Sequence, residues 1–217
     1  MVSIATPSST NSTGGSIRAR GAATQNRILE KAVHIASIEG LSSMSLATLA
    51  KATSMSKSGL FAHFRSKEAL QIAIIDEAER IFFDAVVRPA EAAPGGVERL
   101  EALVNGYVDY CSRGPFEGGC FFAAAAHEFD GRPGLVRDRV IQFFDTWNTQ
   151  VRTAVQDSLT RGQLRHELDI ESFVFELSGI GLSANVTAQI GGGSDRARSQ
   201  GTVAVHSLMD RVTAPKN

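Results

Sequence analysis

Cysteine is nearly missing from this chain, proline is scarce and tyrosine scarcer still, and each shortage removes a class of protein. The two cysteines, Cys111 and Cys120, cannot build a disulfide framework, and they predict a reduced, cytoplasmic protein. Six prolines and two tyrosines suit helices better than a sandwich of short strands. No run approaches about eighteen consecutive apolar residues, so no membrane-spanning helix is expected. The opening MVSIATPSSTNSTGG has neither a positive segment nor an apolar one, so a secretory signal is not expected there. No close nucleophile–base pair, glycine-rich phosphate loop or metal-ligand spacing is present, so no enzyme, cofactor or metal is expected. Cys120 and His127 lie on one helix face but roughly 10 Å apart, too far for a thiol–imidazole bond. They also lack a third ligand at a recognised spacing.

What is present is a chain of 217 residues, 43% hydrophobic, long enough for one or two small domains. Its net charge of −1 hides an asymmetry. Residues 1–70 carry eight Lys/Arg against three acids, and the remainder carries fourteen against twenty. A basic first third on an acidic remainder is the pattern of a polyanion-binding head on a separate body.

Residues 1–22 are rich in Ser, Thr, Gly and Ala and predict a disordered tail, in which Arg18 and Arg20 read either as a minor-groove arm or as solvated charge. A first helix is expected over about 24–39, with Thr24 as cap, an apolar stripe from Ile28 to Ala36, and Gly40 as its stop. Two short helices follow, Leu46–Ala52 capped by Ser45, and one from the Ser56 cap to about His63. Ser66 opens a longer helix that should end near Arg88, because Pro89 disfavours a helical residue before it. Beyond the linker 90–96, five further helices are expected at about 97–112, 118–130, 134–161, 170–190 and 194–212, separated by Gly- and Pro-rich breaks. The fold class is therefore all-α, with nine helices: a head over 23–69 and a body over 70–217.

The informative stretch is Ser45–Lys67, SLATLAKATSMSKSGLFAHFRSK. Two short amphipathic helices joined by a tight turn form a helix-turn-helix. Ala50 is small enough to let the two axes cross, Met55 plugs the turn, and Leu60 with Phe64 anchors the second helix. The other face, Ser56, Lys57, Ser58, Gly59 and Ala62, is small and polar, unsuited to an interior and suited to close approach to a groove floor. Hydroxyls and helix N-terminal amides bond phosphate. Lys57 has the reach for a guanine edge and Ala62 the shape for a thymine methyl, with His63 and Lys67 beside the backbone.

LATLAKATSMSKSGLFAHFRSKEAL resembles the DNA-binding signature of TetR-family regulators, over about residues 24–75. The resemblance implies a three-helix DNA-binding domain, a variable helical ligand-binding domain and dimerisation through the last two long helices. It places Ser45, Thr48, Ser56, Lys57, Ser58, Gly59, Phe61, Ala62, His63 and Lys67 at the DNA. Two positions depart from the pattern. Ser54 stands where glycine is usual, and a left-handed backbone there costs about 1–2 kcal/mol. Phe61 stands where tyrosine is common, which removes a hydroxyl contact to phosphate.

In the second half, GGCFFAAAAHEFDGRPGLVRD resembles one branch of the same family and makes a helix that is apolar nearly all round. It predicts an effector pocket lined by Cys120, Phe121, Ala124, Ala125, Phe143 and Trp147, with His127 or Glu128 adding polarity; plain core packing accounts for the same residues. Wall composition favours an apolar or aromatic effector. Phe173, Leu177, Ile180, Gly181 and Ala184, with Val205, Leu208 and Met209 of the last helix, are expected at the subunit interface. The implied protein is a ligand-responsive regulator that binds a palindromic operator as a homodimer. An enzyme or carrier with an incidental basic head, and an architectural DNA binder without a ligand, are the rival readings.

Overall fold

A computed structural model describes residues 12–215. Among them there are nine helices and no strand. The first, α1 (Ser12–Glu39), ends at Gly40, whose φ of 89° only glycine adopts cheaply, and a 3₁₀ turn, Leu41–Ser43, follows. α2 (Leu46–Thr53) and α3 (Lys57–Phe61) form the hairpin, and α4 (Lys67–Phe82) runs on through a π turn, Phe83–Val87, into one more turn, Arg88–Glu91. α5 (Val97–Arg113), α6 (Phe121–Phe129), α7 (Leu135–Thr160), α8 (Ile170–Val186) and α9 (Gly193–Val212) complete the body, with a second π turn, Thr187–Gly192, joining the last two.

Four boundaries differ from expectation, one of them at α8, which gives way to the π turn after Val186 rather than at 190. α1 begins at Ser12, so residues 12–22 are helical rather than part of a tail; residues 1–11 of that expected tail, and the side chains of Arg18 and Arg20, lie outside the description. α4 runs past Arg88, because the π turn changes the hydrogen-bond register just before Pro89 and the missing N–H falls near the start of a new turn. α6 begins at Phe121 rather than 118, because Gly119 sits at φ 82° and Cys120 is extended, neither of them compatible with a right-handed helix.

One hydrophobic core runs from Ile28 in α1 to Val212 in α9. Its centre is aromatic. Phe82 of α4 meets Tyr110, Phe143 and Trp147 edge-on at 4.9, 5.1 and 5.1 Å between ring centroids. α9 packs on α5 and α8, close enough that a Cβ at Gly201 would lie 2.7 Å from Val108. α4 lies between the helical hairpin's neighbour α1 and the body helix α7. At that second contact Arg139 of α7, only 14% exposed, bridges Asp76 and Glu79 of α4.

Candidate functional site

The hairpin is built by caps and two buried anchors. The Ser45 hydroxyl accepts from the Thr48 amide at 3.1 Å and starts α2; the Ser56 hydroxyl accepts from the Gly59 amide at 3.1 Å and starts α3. Leu49, Leu60 and Phe64 are fully buried, and Met55 and Ala50 pack against the same core. Ser54 adopts the left-handed conformation expected of a glycine position, at φ 55° and ψ 30°.

With its inner face tied down, α3 turns Ser56, Lys57, Ser58, Phe61 and Ala62 to solvent, Phe61 with 54% of its surface exposed. Gly59, His63, Ser45 and Thr48 are half-buried at the margin of that surface. A Cβ at Gly59 would lie 3.2 Å from the Ser56 hydroxyl, so glycine keeps the cap tight. Thr48 also shares a 2.9 Å hydroxyl contact with Ser45. Lys67 is exposed, yet its ammonium donates to the Ser42 carbonyl at 2.6 Å, a contact that sequence spacing does not reveal. The ten expected residues thus lie on the hairpin and the first turn of α4, with Lys67 partly committed to a neighbouring turn.

That turn joins the hairpin to the body. Glu128 of α6 accepts from the amides of Leu41 at 3.0 Å and Ser42 at 2.6 Å, while Gln71 of α4 donates to the Leu41 carbonyl at 2.8 Å. A Cβ on Gly40 would sit 2.7 Å from the Glu128 carboxylate, so this glycine is required for space as well as for its φ.

Between α4 and α8 lies a cavity of about 190 Å³. Phe82, Tyr107, Phe122, Phe143, Phe144 and Trp147 form most of its wall, and Cys111, Cys120, Ser178 and His127 supply the polar atoms. Gly181 is part of the wall because the Tyr107 ring occupies the place of a side chain there, 2.3 Å from an ideal Cβ. Of the expected pocket residues, Cys120, His127, Phe143 and Trp147 line this cavity. Phe121, Ala124, Ala125 and Glu128 do not. Phe121 and Ala125 are buried in the core beside it, Ala124 is half-buried off the wall, and Glu128 faces the 3₁₀ turn. The wall instead uses Phe122, Ala123 and Ala126, the complementary face of α6. A helix apolar on every side offers no moment from which to choose its face.

The expected interface set is corrected in the same way. Phe173, Leu177, Gly181, Ala184, Val205, Leu208 and Met209 are buried within the subunit, and Ile180 is half-buried at a groove between α8 and α9. What α8 exposes is Phe175, at 80%, then Leu182 and Val186, with Ile190 in the following turn at 84%; α9 exposes Val203 at 67%. Among the described residues no group of three His, Cys, Asp or Glu side chains is placed to hold a metal ion, and no helix is long and apolar enough to cross a membrane.

Comparison with known proteins bears on both halves. Residues 28–74 match the family model for bacterial regulatory proteins of the tetR family, and residues 96–201 match that for the tetracyclin repressor-like C-terminal domain. The nucleoid occlusion factor SlmA of Vibrio vulnificus is 25% identical over 138 residues, 63% of this chain and 69% of its own length. A TetR transcriptional regulator from Chloroflexus aurantiacus superposes with a TM-score of 0.82 at 24% identity, covering 91% of this chain and all of that one. AibR, solved in complex with isovaleryl coenzyme A and operator DNA, superposes with a TM-score of 0.65 at 21% identity, covering 86% of this chain and 97% of its own. Head and body thus match neighbouring models of one kind in the order that a single regulator requires, and the chain belongs to the TetR family of DNA-binding transcriptional regulators.

Proposed function

We propose that the chain is an effector-responsive repressor whose head, residues 23–69, reads a palindromic operator as part of a homodimer, and whose body, residues 70–217, takes a small apolar or aromatic molecule. The observation that carries this reading is the outward face of α3. Ser56, Lys57, Ser58 and Ala62 are exposed while Leu60 and Phe64 of the same segment are buried, so small side chains are offered to a groove floor from a rigid base. Lys57 is the base-edge reader, Ser56 and Ser58 are phosphate contacts, and Thr48, His63 and Lys67 flank the backbone.

The cavity supports the effector part. Its wall is aromatic, and at about 190 Å³ it is smaller than the pockets that take drug-sized ligands, so it favours a compact neutral molecule. AibR was solved with both isovaleryl coenzyme A and operator DNA, and that pairing supports a small molecule and DNA on one chain of this fold. α6 touches both sites, with Phe122, Ala123, Ala126 and His127 at the cavity and Glu128 at the turn before α2. An effector that prefers one position of α6 therefore biases the head, provided that it binds the two states with different affinity.

The second copy docks on the outer stripe Phe175, Gly179, Leu182, Val186 and Ile190, spaced four, three, four and four residues apart, with Val203 of α9 beside it. Such a stripe is the seam of a helical bundle, and two copies across a two-fold axis give four helices.

The test is a gel shift with fragments of the DNA upstream of the protein's own gene, repeated at a stated salt concentration. A shift resisted by random-sequence competitor, and relieved by a compound found in a thermal-shift screen, is the expected result. Displacement by random DNA as readily as by specific DNA would sink the operator reading in favour of an architectural binder, a possibility that likeness to a nucleoid occlusion factor keeps in view.

A further inference from the structure

The two cysteines, one in α5 and one just before α6, both line the wall of the same cavity, with one thiol in hydrogen-bonding reach of the other. Cys111 lies in the last turn of α5, and Cys120 is the residue that precedes the nine-residue helix α6. Both are free and buried, at 1% and 7% exposure, so neither reaches another molecule's thiol. The backbone around Cys120 is held firmly. Its amide donates to the Asn185 side chain at 2.7 Å, and Gly119 before it sits at φ 82°, with the same Asn185 oxygen 2.5 Å from where a Cβ would stand.

We infer that Cys111 and Cys120 are an oxidisable pair, joined into one intramolecular disulfide when a small neutral hydroperoxide enters the cavity. The cavity provides entry past the exposed His127 on its rim, away from the stripe on α8, and its aromatic wall favours an uncharged oxidant. In the first step the Cys120 sulfur attacks the terminal oxygen of the hydroperoxide. An S–O bond forms and the O–O bond breaks; the alkoxide leaves with the thiol proton as an alcohol, and Cys120 becomes a sulfenic acid. In the second step the Cys111 sulfur attacks that sulfur. The S–S bond forms, the S–O bond breaks, and hydroxide leaves with the Cys111 proton as water. Two thiols lose two electrons, and the hydroperoxide is reduced to alcohol and water.

The division of labour has a physical cause. The Cys111 thiol, together with the Ala123 and Phe122 amides at the start of α6, holds the Cys120 thiol below the usual thiol range against the opposing effect of burial. Contact with Cys120 and burial push Cys111 well up, which suits the second, resolving thiol. This chemistry needs no DNA and stands apart from the operator reading.

The experiment uses the full chain with tert-butyl hydroperoxide as the probe. Thiols counted in the unfolded product should fall from two to none, and trypsin, which cuts after Arg113 between the two cysteines, should release their peptides as one linked species without reductant. In Cys111→Ser, dimedone should trap the sulfenic acid on Cys120, whereas in Cys120→Ser the remaining thiol should stay unmodified over the same interval. Retention of both thiols in the wild type would overturn the inference. So would a link between two chains, or oxidation of Cys111 in the Cys120→Ser variant at the wild-type rate.

Discussion

Lys57 carries the single charge of α3 and stands fully outside the core that anchors that helix. Replacing it by alanine leaves Leu60 and Phe64 in place, so circular dichroism and the thermal midpoint should be unchanged. Operator affinity, by fluorescence anisotropy at matched salt, should fall by about 1–3 kcal/mol if the ammonium reads a base edge, with discrimination relaxed at one position of each half-site. Uniform weakening across sequences, with a shallower salt dependence, would make Lys57 a phosphate contact instead. Ser54 gives a prediction of the opposite sign. It holds a left-handed backbone that costs a serine about 1–2 kcal/mol, so Ser54→Gly should stabilise the chain. After allowance for the greater freedom of glycine in the unfolded chain, a rise in melting temperature of about 2–4 °C is expected. The exposure of Lys57 was legible from amphipathic spacing, a local property, whereas the left-handed turn at Ser54 was read from the resemblance that puts glycine there.

At the scale of elements, the 3₁₀ turn between α1 and α2 is held by one body carboxylate and two α4 side chains, Gln71 and Lys67. Removing the carboxylate in Glu128→Ala strands two amide donors, at a cost of about 1–3 kcal/mol in urea unfolding. Glu128→Gln keeps an acceptor and should lose less. In a molecule that couples α6 to the hairpin, the alanine variant should also blunt the effect of an effector on DNA affinity; an unchanged response would remove Glu128 from that route. None of this was visible beforehand. Glu128 read as a polar pocket residue, since its partners lie 86 and 87 positions away. The face of α6 was likewise unreadable. With apolar residues on all sides, only packing against α1 on one side and α7 on the other decides that Phe122 lines the cavity and Phe121 does not.

The whole molecule presents its apolar seam along α8. Phe175→Glu places like charges on both sides of the proposed two-fold axis without touching the buried Phe173 or Leu177. Sedimentation should then shift from two chains to one, and cooperative operator binding should be lost while the helical content persists. A variant that still sediments as a dimer would move the interface elsewhere. Here the residues that the sequence pointed to on the last two helices are mostly buried within the subunit, and the exposed apolar stripe lies on another face. Phe173, Leu177, Ala184, Val205 and Leu208 obey helical spacing as well as the exposed stripe does, and periodicity alone does not say which of two apolar faces meets the subunit's own core.

By itself the sequence determined the all-helical class, the nine elements and the outward face of α3, because each follows from spacing within about a dozen residues; the left-handed turn at Ser54 came from the family resemblance. Only the tertiary structure decided which side of α6 and α8 faces the core, that Glu128 binds the head rather than the cavity, and that Cys111 and Cys120 share one wall. The reason is the same in each case: those positions sit on surfaces apolar or polar enough to suit two environments, and only the neighbouring helices, distant in sequence, select one.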